Sequence, residues 1–244
     1  MGKHLNRNKR RNPRQLETAQ IIKFQGSKFD HERNLPPLKP LTATQADYLD
    51  ALRTNPQIVV LGPAGTGKTW IAATYAADLY RHKQIAKIII TRPNVPCGRS
   101  LGFFPGSLRD KFAPWASPIV EAIKERIGTA AYEIALKNEG IEMVPFEVMR
   151  GRSWKDAFIL LDEAQNTTTA EIKTFLTRVG EDCTVVINGD VSQCDLSEAS
   201  GLRTMLNLIR SKKLPVPVIE FTLADVVRSG VCAMWVRAFA EDRI

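Results

Sequence analysis

Between residues 62 and 69 the chain reads Gly62-Pro63-Ala64-Gly65-Thr66-Gly67-Lys68-Thr69, the G-x-x-x-x-G-K-[ST] spacing that cradles a phosphate chain. Glycines let the backbone wrap the anion, so that amide N–H groups and the start of the following helix point at it. Lys68 is placed to reach the β- and γ-phosphates, and the Thr69 hydroxyl to hold Mg²⁺. Further on, an apolar run ends in Asp162-Glu163. Asp162 would complete the Mg²⁺ site through its water shell, and Glu163 would orient and deprotonate an attacking water. Gln193, in Gly189-Asp190-Val191-Ser192-Gln193, offers a neutral amide to the γ-phosphate or to that water. Arg228, in Asp225-Val226-Val227-Arg228, is a candidate for the arginine that stabilises charge on a transferring phosphoryl group. Its bland reading is a salt bridge to Asp225, and Arg150, Arg152 and Arg178 compete for the role. Together these residue types predict binding and hydrolysis of a nucleoside triphosphate.

The surrounding pattern supplies the elements such a site needs. Ile58–Leu61 is a β-branched run typical of a buried parallel strand. Ile71, Tyr75 and Leu79, flanked by Ala72 and Ala76, give the next segment one apolar helical face. Strand, glycine loop and helix thus follow in the required order. Further strands are expected at 87–91, 141–144, 157–161, 184–188 and 216–223, and helices at 42–53, 130–137, 168–179, 201–211 and 231–240. The helix beginning near Ser107 is expected to be interrupted by Pro114 and Pro118 and to recover over Val120–Ile127. Ile21, Ile22 and Phe24 suit a short edge strand. Between Asn94 and Gly106 lies a long turn-rich segment carrying Arg99, Phe103 and Phe104, a length that is usually functional. Alternating strands and helices imply an α/β fold, a mostly parallel sheet with helices on both faces, in a single domain. Ligands in such sheets bind beyond the carboxyl ends of the strands, where the P-loop, Asp162-Glu163, Asp190 and Gln193 should converge.

At 244 residues the chain can bury one substantial core. Of its net charge of +8, most sits in the first fourteen residues, where Lys3, Arg7, Lys9, Arg10, Arg11 and Arg14 meet no acid. Such an arm is suited to a phosphate backbone; the bland alternative is a solvated terminus. With the extended Leu35–Pro40 it makes residues 1–40 a basic extension and proline-rich linker ahead of a domain at 41–244. Cys97, Cys183, Cys194 and Cys232 contain no C-x-x-C pair, and with only His4, His31 and His82 no zinc set can be read. Unpaired thiols, no signal-peptide pattern and no apolar run of membrane-spanning length point to the cytoplasm.

Five segments together carry a resemblance. Gly102-Phe103-Phe104-Pro105-Gly106, Met149-Arg150-Gly151-Arg152-Ser153, Asp162-Glu163-Ala164-Gln165-Asn166, Leu176-Thr177-Arg178-Val179-Gly180 and Gly189–Gln193 look like the PhoH family of phosphate-starvation-inducible ATPases. That family is similar to one motor domain of the superfamily 1 RNA and DNA helicases, with a RecA-like core. The resemblance implies that Gln45 reads adenine, favouring ATP, and that Thr91 and Arg92 touch a nucleic-acid backbone, with Arg150 and Arg152 as further contacts. It also implies a phosphate-sensing role for Gly189–Gln193, a late arginine motif at Arg228, and ring-shaped homo-oligomers, expected to be hexamers. Asn188 and Ser192 depart from the commonest family residues.

Two function classes follow. One is a Mg²⁺-dependent ATPase that remodels or unwinds RNA or single-stranded DNA. The other is a nucleotide-gated binding and assembly module with slow hydrolysis. A ribonuclease reading finds no separate carboxylate cluster or histidine pair.

Overall fold

Continuous apolar runs build the centre of the molecule, and their alternation decides which helices cover each face. A computed structural model describes residues 35–93, 108–196 and 199–241. The basic arm, the strand expected at Ile21, Ile22 and Phe24, and the turn-rich segment with Arg99, Phe103 and Phe104 lie outside the described residues. Strands β1 (Gln57–Leu61), β2 (Lys87–Thr91), β3 (Ile141–Met143), β4 (Ala157–Leu161), β5 (Cys183–Gly189) and β6 (Val218–Glu220) form one sheet in the order β3-β2-β4-β5-β1-β6. Every pairing is parallel.

The helices are α1 (Ala43–Thr54), α2 (Lys68–Arg81), α3 (Leu108–Ile127), α4 (Thr129–Lys137), α5 (Thr169–Leu176), α6 (Gly201–Lys212) and α7 (Gly230–Glu241). Side chains alternate faces along a strand. Ile58, Val60, Ile88, Ile90, Phe158, Leu160 and Val186 pack beneath α1 to α4. Val59, Leu61, Ile89, Ile159, Leu161, Val185 and Ile187 pack with α5 and α6. Both faces are therefore covered, as a parallel sheet requires. Each fully buried Phe or Ile contributes roughly 1.5–3 kcal/mol.

The register fixes the site. Leu161 pairs with Ile187 and Val60 with Asn188, and Asp162 N–H continues the ladder by donating to Thr91 O. Strand β5 lies between β1 and β4, so the loop after β5 emerges beside both the glycine loop and Asp162-Glu163. Gly62 N–H donates to Gly189 O at 3.2 Å, extending the β1–β5 ladder.

Three elements differ from the sequence expectation by more than a residue at an end. Helix α3 runs unbroken through Pro114 and Pro118, because Ala116, Ile119, Ala122 and Ile123 bury a continuous stripe against the core; packing outweighs the donors that proline removes. Helix α5 stops at Leu176 rather than Val179, because Trp154 pairs with the chain there: Trp154 N–H donates to Arg178 O and Gly180 N–H to Trp154 O. Strand β6 is shorter than expected, because Thr222 caps a one-turn helix at Leu223–Asp225.

Candidate nucleotide-phosphate site

The glycine loop joins β1 to α2 with Gly67 in the left-handed region at φ 87°. Helices α1 and α5 begin under threonine side-chain caps, whereas no side chain caps α2. Its first-turn N–H groups and positive dipole end suit an anion. Inside the loop, Lys68 Nζ donates to Gly62 O at 2.6 Å and Pro63 O at 2.7 Å. Thr66 is fully buried and its hydroxyl donates to Pro63 O at 3.0 Å, while Ala64 is exposed at the tip. Burial lowers the Lys68 ammonium below the usual lysine value, against the opposing charges of Asp190, Asp162 and Glu163. One lysine thus faces three carboxylates.

Thr69 Oγ1 donates to Asp162 Oδ1 at 2.9 Å, joining the start of α2 to the end of β4. Burial raises the Asp162 carboxyl above its ordinary value, and the adjacent Glu163 charge raises it further. The Thr69 bond, Arg92 and Lys68 act the other way. A divalent cation here would offset that excess of negative charge. Among the described residues no group of three or more His, Cys, Asp or Glu could hold a metal alone. Mg²⁺ takes one or two protein oxygens and completes its shell with phosphate oxygens and water. A hydroxyl and a carboxylate 2.9 Å apart are hard oxygen donors and fit it.

Glu163 adopts φ 53°, a left-handed conformation that costs a non-glycine residue on the order of 1 kcal/mol or more and is concentrated at functional sites. Its Oε2 accepts from Gln165 Nε2 at 2.6 Å, and its Oε1 lies 3.9 Å from Arg92 NH2. Arg92 NH1 also donates to Trp115 O at 3.2 Å, and its guanidinium sits 5.6 Å from the Trp115 ring centroid. Arg92, expected on a nucleic-acid backbone, therefore stands beside the acid pair. Thr91, the last residue of β2, is fully buried, and its hydroxyl has no hydrogen-bond partner among the described residues.

Asp190 is buried, with Oδ1 accepting from Ser192 N and Oγ and Oδ2 without a partner. Gln193 is exposed on the same turn, its backbone N–H donating to Asp190 O. Gln45 is buried beneath the glycine loop: Nε2 donates to Thr66 O at 3.0 Å and Oε1 accepts from Leu41 N–H at 2.8 Å. In this conformation its amide is a strut for the loop with both ends engaged.

Arg228 reaches the loop from within the same chain. Val227 N–H donates to Gly65 O at 2.9 Å, and a Cβ on Gly65 would lie 2.7 Å from Arg228 Cγ, so glycine is required there. The alternative pairing with Asp225 does not form among the described residues: Asp225 accepts from Thr222 N and Oγ1. The competing arginines lie elsewhere. Arg178 pairs through its backbone with Trp154, ahead of β4 and β5 and thus at the amino ends of the strands, opposite the phosphate loop. Arg152 NH1 donates to Glu142 Oε2 at 2.8 Å, and Glu142 also holds Lys87, the first residue of β2. Arg150 is exposed in the preceding turn. As arginines completing the site within one chain, Arg152 and Arg178 are excluded by their place in the fold.

Two residues to which the sequence assigns no role prove central. Gln165 is buried and bonds both Glu163 and Asp190 N–H; Asn166 holds Asp195 through two bonds. Both lie in the Asp162–Asn166 segment that carries the family resemblance, where they are a pair of adjacent amides just beyond the acid pair.

A phosphate loop between β1 and α2, facing a carboxylate on β4 across an intervening strand, defines a P-loop nucleoside-triphosphatase fold. The chain belongs to the PhoH-like protein family, whose model matches residues 37–240. It is 39% identical over 212 residues to Protein PhoH of Escherichia coli (strain K12), an alignment covering 85% of this chain and 60% of that protein. To the PhoH-like protein of Bacillus subtilis (strain 168) it is 40% identical over 203 residues, covering 82% and 63%. The chain thus spans about three-fifths of the length of these relatives. Among solved structures, the large terminase from a thermophilic bacteriophage aligns with TM-score 0.49 at 10% identity, over 82% of this chain and 50% of that one. No described helix is long and apolar enough to cross a membrane.

Proposed function

We propose that this protein is a Mg²⁺-dependent ATPase that couples hydrolysis to remodelling of RNA or single-stranded DNA, working in the cytoplasm as a homo-oligomeric ring, with the hexamer as the expected form. The observation that carries the hydrolytic reading is the Thr69–Asp162 hydrogen bond with Glu163 one residue on. It joins a phosphate loop to a pair of acids in the order in which hydrolysis needs them. When bound, Mg²⁺ would be held by Thr69 Oγ1 and Asp162 and would neutralise charge on the phosphate oxygens. Lys68 exchanges its two loop carbonyls for β- and γ-phosphate oxygens. Glu163 takes a proton from water as the new O–P bond forms and ADP departs, a role worth about 10²–10⁴ in rate. Among the described residues, Arg228, packed on Gly65, is the arginine best placed to meet charge on the γ-phosphoryl group. Preference for ATP and the nucleic-acid partner rest on the family, and the basic residues of the 1–14 arm add a phosphate-seeking surface.

The test is the ATPase rate against single-stranded RNA, single-stranded DNA and duplexes, with oligomeric mass measured on the same sample. The proposal expects stimulation by a single strand, loss of both basal and stimulated rates in Glu163→Gln, and a slower rate on dilution to the monomer. A rate indifferent to every nucleic acid in the assembled sample would favour the nucleotide-gated module instead. Removing residues 1–14 should flatten the salt dependence of RNA binding by about 0.7 in log–log slope for each phosphate that the arm neutralises; an unchanged slope would return the arm to a solubility role.

A further inference from the structure

Gln165 is 2% exposed, and each end of its amide meets a different part of the site. Oε1 accepts from Asp190 N–H at 3.0 Å, and Nε2 donates to Glu163 Oε2 at 2.6 Å. The orientation of such an amide is set by its partners. A backbone N–H can only donate, so the carbonyl end must face Asp190 and the donor end must face Glu163. Room for this arrangement depends on Gly189, where a Cβ would lie 3.1 Å from Gln165 Oε1 and 2.6 Å from Leu202 Cδ2. The backbone is anchored as well, with Gln165 O accepting from Ser200 Oγ at 2.8 Å. One oxygen of Glu163 is therefore held, while the other lies 3.9 Å from Arg92. The far end of the amide is attached to the loop that follows Gly189, the residue that bonds the P-loop at Gly62.

We propose that Gln165 is the positioning residue for Glu163, a two-ended amide through which the loop after β5 sets the aim of the catalytic carboxylate. The inference rests on the hydrolytic reading above and deepens it. When phosphate draws Asp190–Gln193 toward the P-loop, the Asp190 N–H carries the Gln165 amide with it and re-aims Glu163. Nucleotide binding, which belongs to the P-loop, does not depend on this linkage.

The experiment compares kcat, KM and the Kd of a non-hydrolysable ATP analogue for wild type, Glu163→Gln, Gln165→Ala and Gln165→Glu through the neutral pH range. Gln165→Ala should lose roughly 10–100-fold in kcat, as misplacement of a reacting group does, with analogue Kd within about twofold of wild type. Gln165→Glu keeps an acceptor for Asp190 N–H but sets a second carboxylate against Glu163. It should be at least as slow as Gln165→Ala, with analogue Kd again within about twofold of wild type. A residue that merely ties down the loop after β5 would leave Gln165→Glu near wild type, and that result overturns the proposal. Wild-type turnover in Gln165→Ala overturns it too. A wild type that does not hydrolyse ATP, or a Glu163→Gln variant as fast as wild type, instead sinks the hydrolytic reading itself.

Discussion

Residues 62–69 carry a frame of local bonds in addition to braces from Gln45, Gly189 and Val227, whereas the strand-end cluster of Gln165 and Asp190 is joined across long stretches of sequence. Within the glycine loop, the bonds from Thr66 and Lys68 span three to six residues. Around Gln165 they span 25 to 35 residues, from Asp190 N–H and from Ser200 Oγ. The first half of the site has local bonds of its own; the second exists once β5 has been inserted between β1 and β4. Binding should therefore be robust to changes in the sheet, and turnover sensitive to them.

The sharpest separation of the two halves comes from Lys68→Ala. It removes the ammonium that Gly62 O and Pro63 O hold and should weaken nucleotide binding by about 100-fold, as removing a buried charged partner does. Calorimetric titration checks this, and an unchanged Kd would break the comparison. On the other side, Gly189→Ala places a methyl group 2.6 Å from Leu202 Cδ2. Overpacking of this kind costs about 1–3 kcal/mol; denaturant melts should show that loss, with kcat falling while analogue Kd holds.

Asp162→Asn opposes stability to activity. The folded carboxyl of Asp162 is raised by burial and by Glu163, so its ionisation costs folding. That cost is absent below the unfolded pKa, grows as pH rises through it, and is fully present above the raised folded value. The amide variant, which keeps an acceptor for Thr69, should melt higher than wild type in metal-free buffer at neutral pH. The advantage should vanish in acid, and Mg²⁺-dependent turnover should be lost. Thermal melts across pH check the sign.

The smallest effect is expected from Thr168→Ala, remote from the phosphates. Thr168 and Glu171 form a reciprocal cap at the start of α5, at 3.2 and 2.8 Å, worth about 1 kcal/mol. Melting temperature should fall by roughly 2–4 °C with kcat unchanged; a loss of kcat would mean that α5 feeds the site.

The legible part of the site follows the same division. Ile58–Leu61, the glycine spacing and Lys68-Thr69 declare a phosphate site without any fold, and the apolar run into Asp162 declares its metal-side partner. Strand positions were legible because β-branched runs such as Ile88–Ile90 have few other uses. Pro114 and Pro118 misled, because the burial of Ile119 and Ile123 is a tertiary fact. Gln165 is legible as part of the family segment but its role is not, since its bonds to Asp190 and Ser200 are set by strand order. Arg228 was named as a candidate, but its seat on Gly65 depends on how the chain returns after β6.

Glu163 serves the water, and the P-loop serves the nucleotide: this division stands or falls on single-turnover hydrolysis of pre-bound MgATP by wild type and Glu163→Gln. Equal occupancy is expected, with the chemical step slowed by about 10²–10⁴ in the variant. Hydrolysis of the bound nucleotide at the wild-type rate in Glu163→Gln would contradict it.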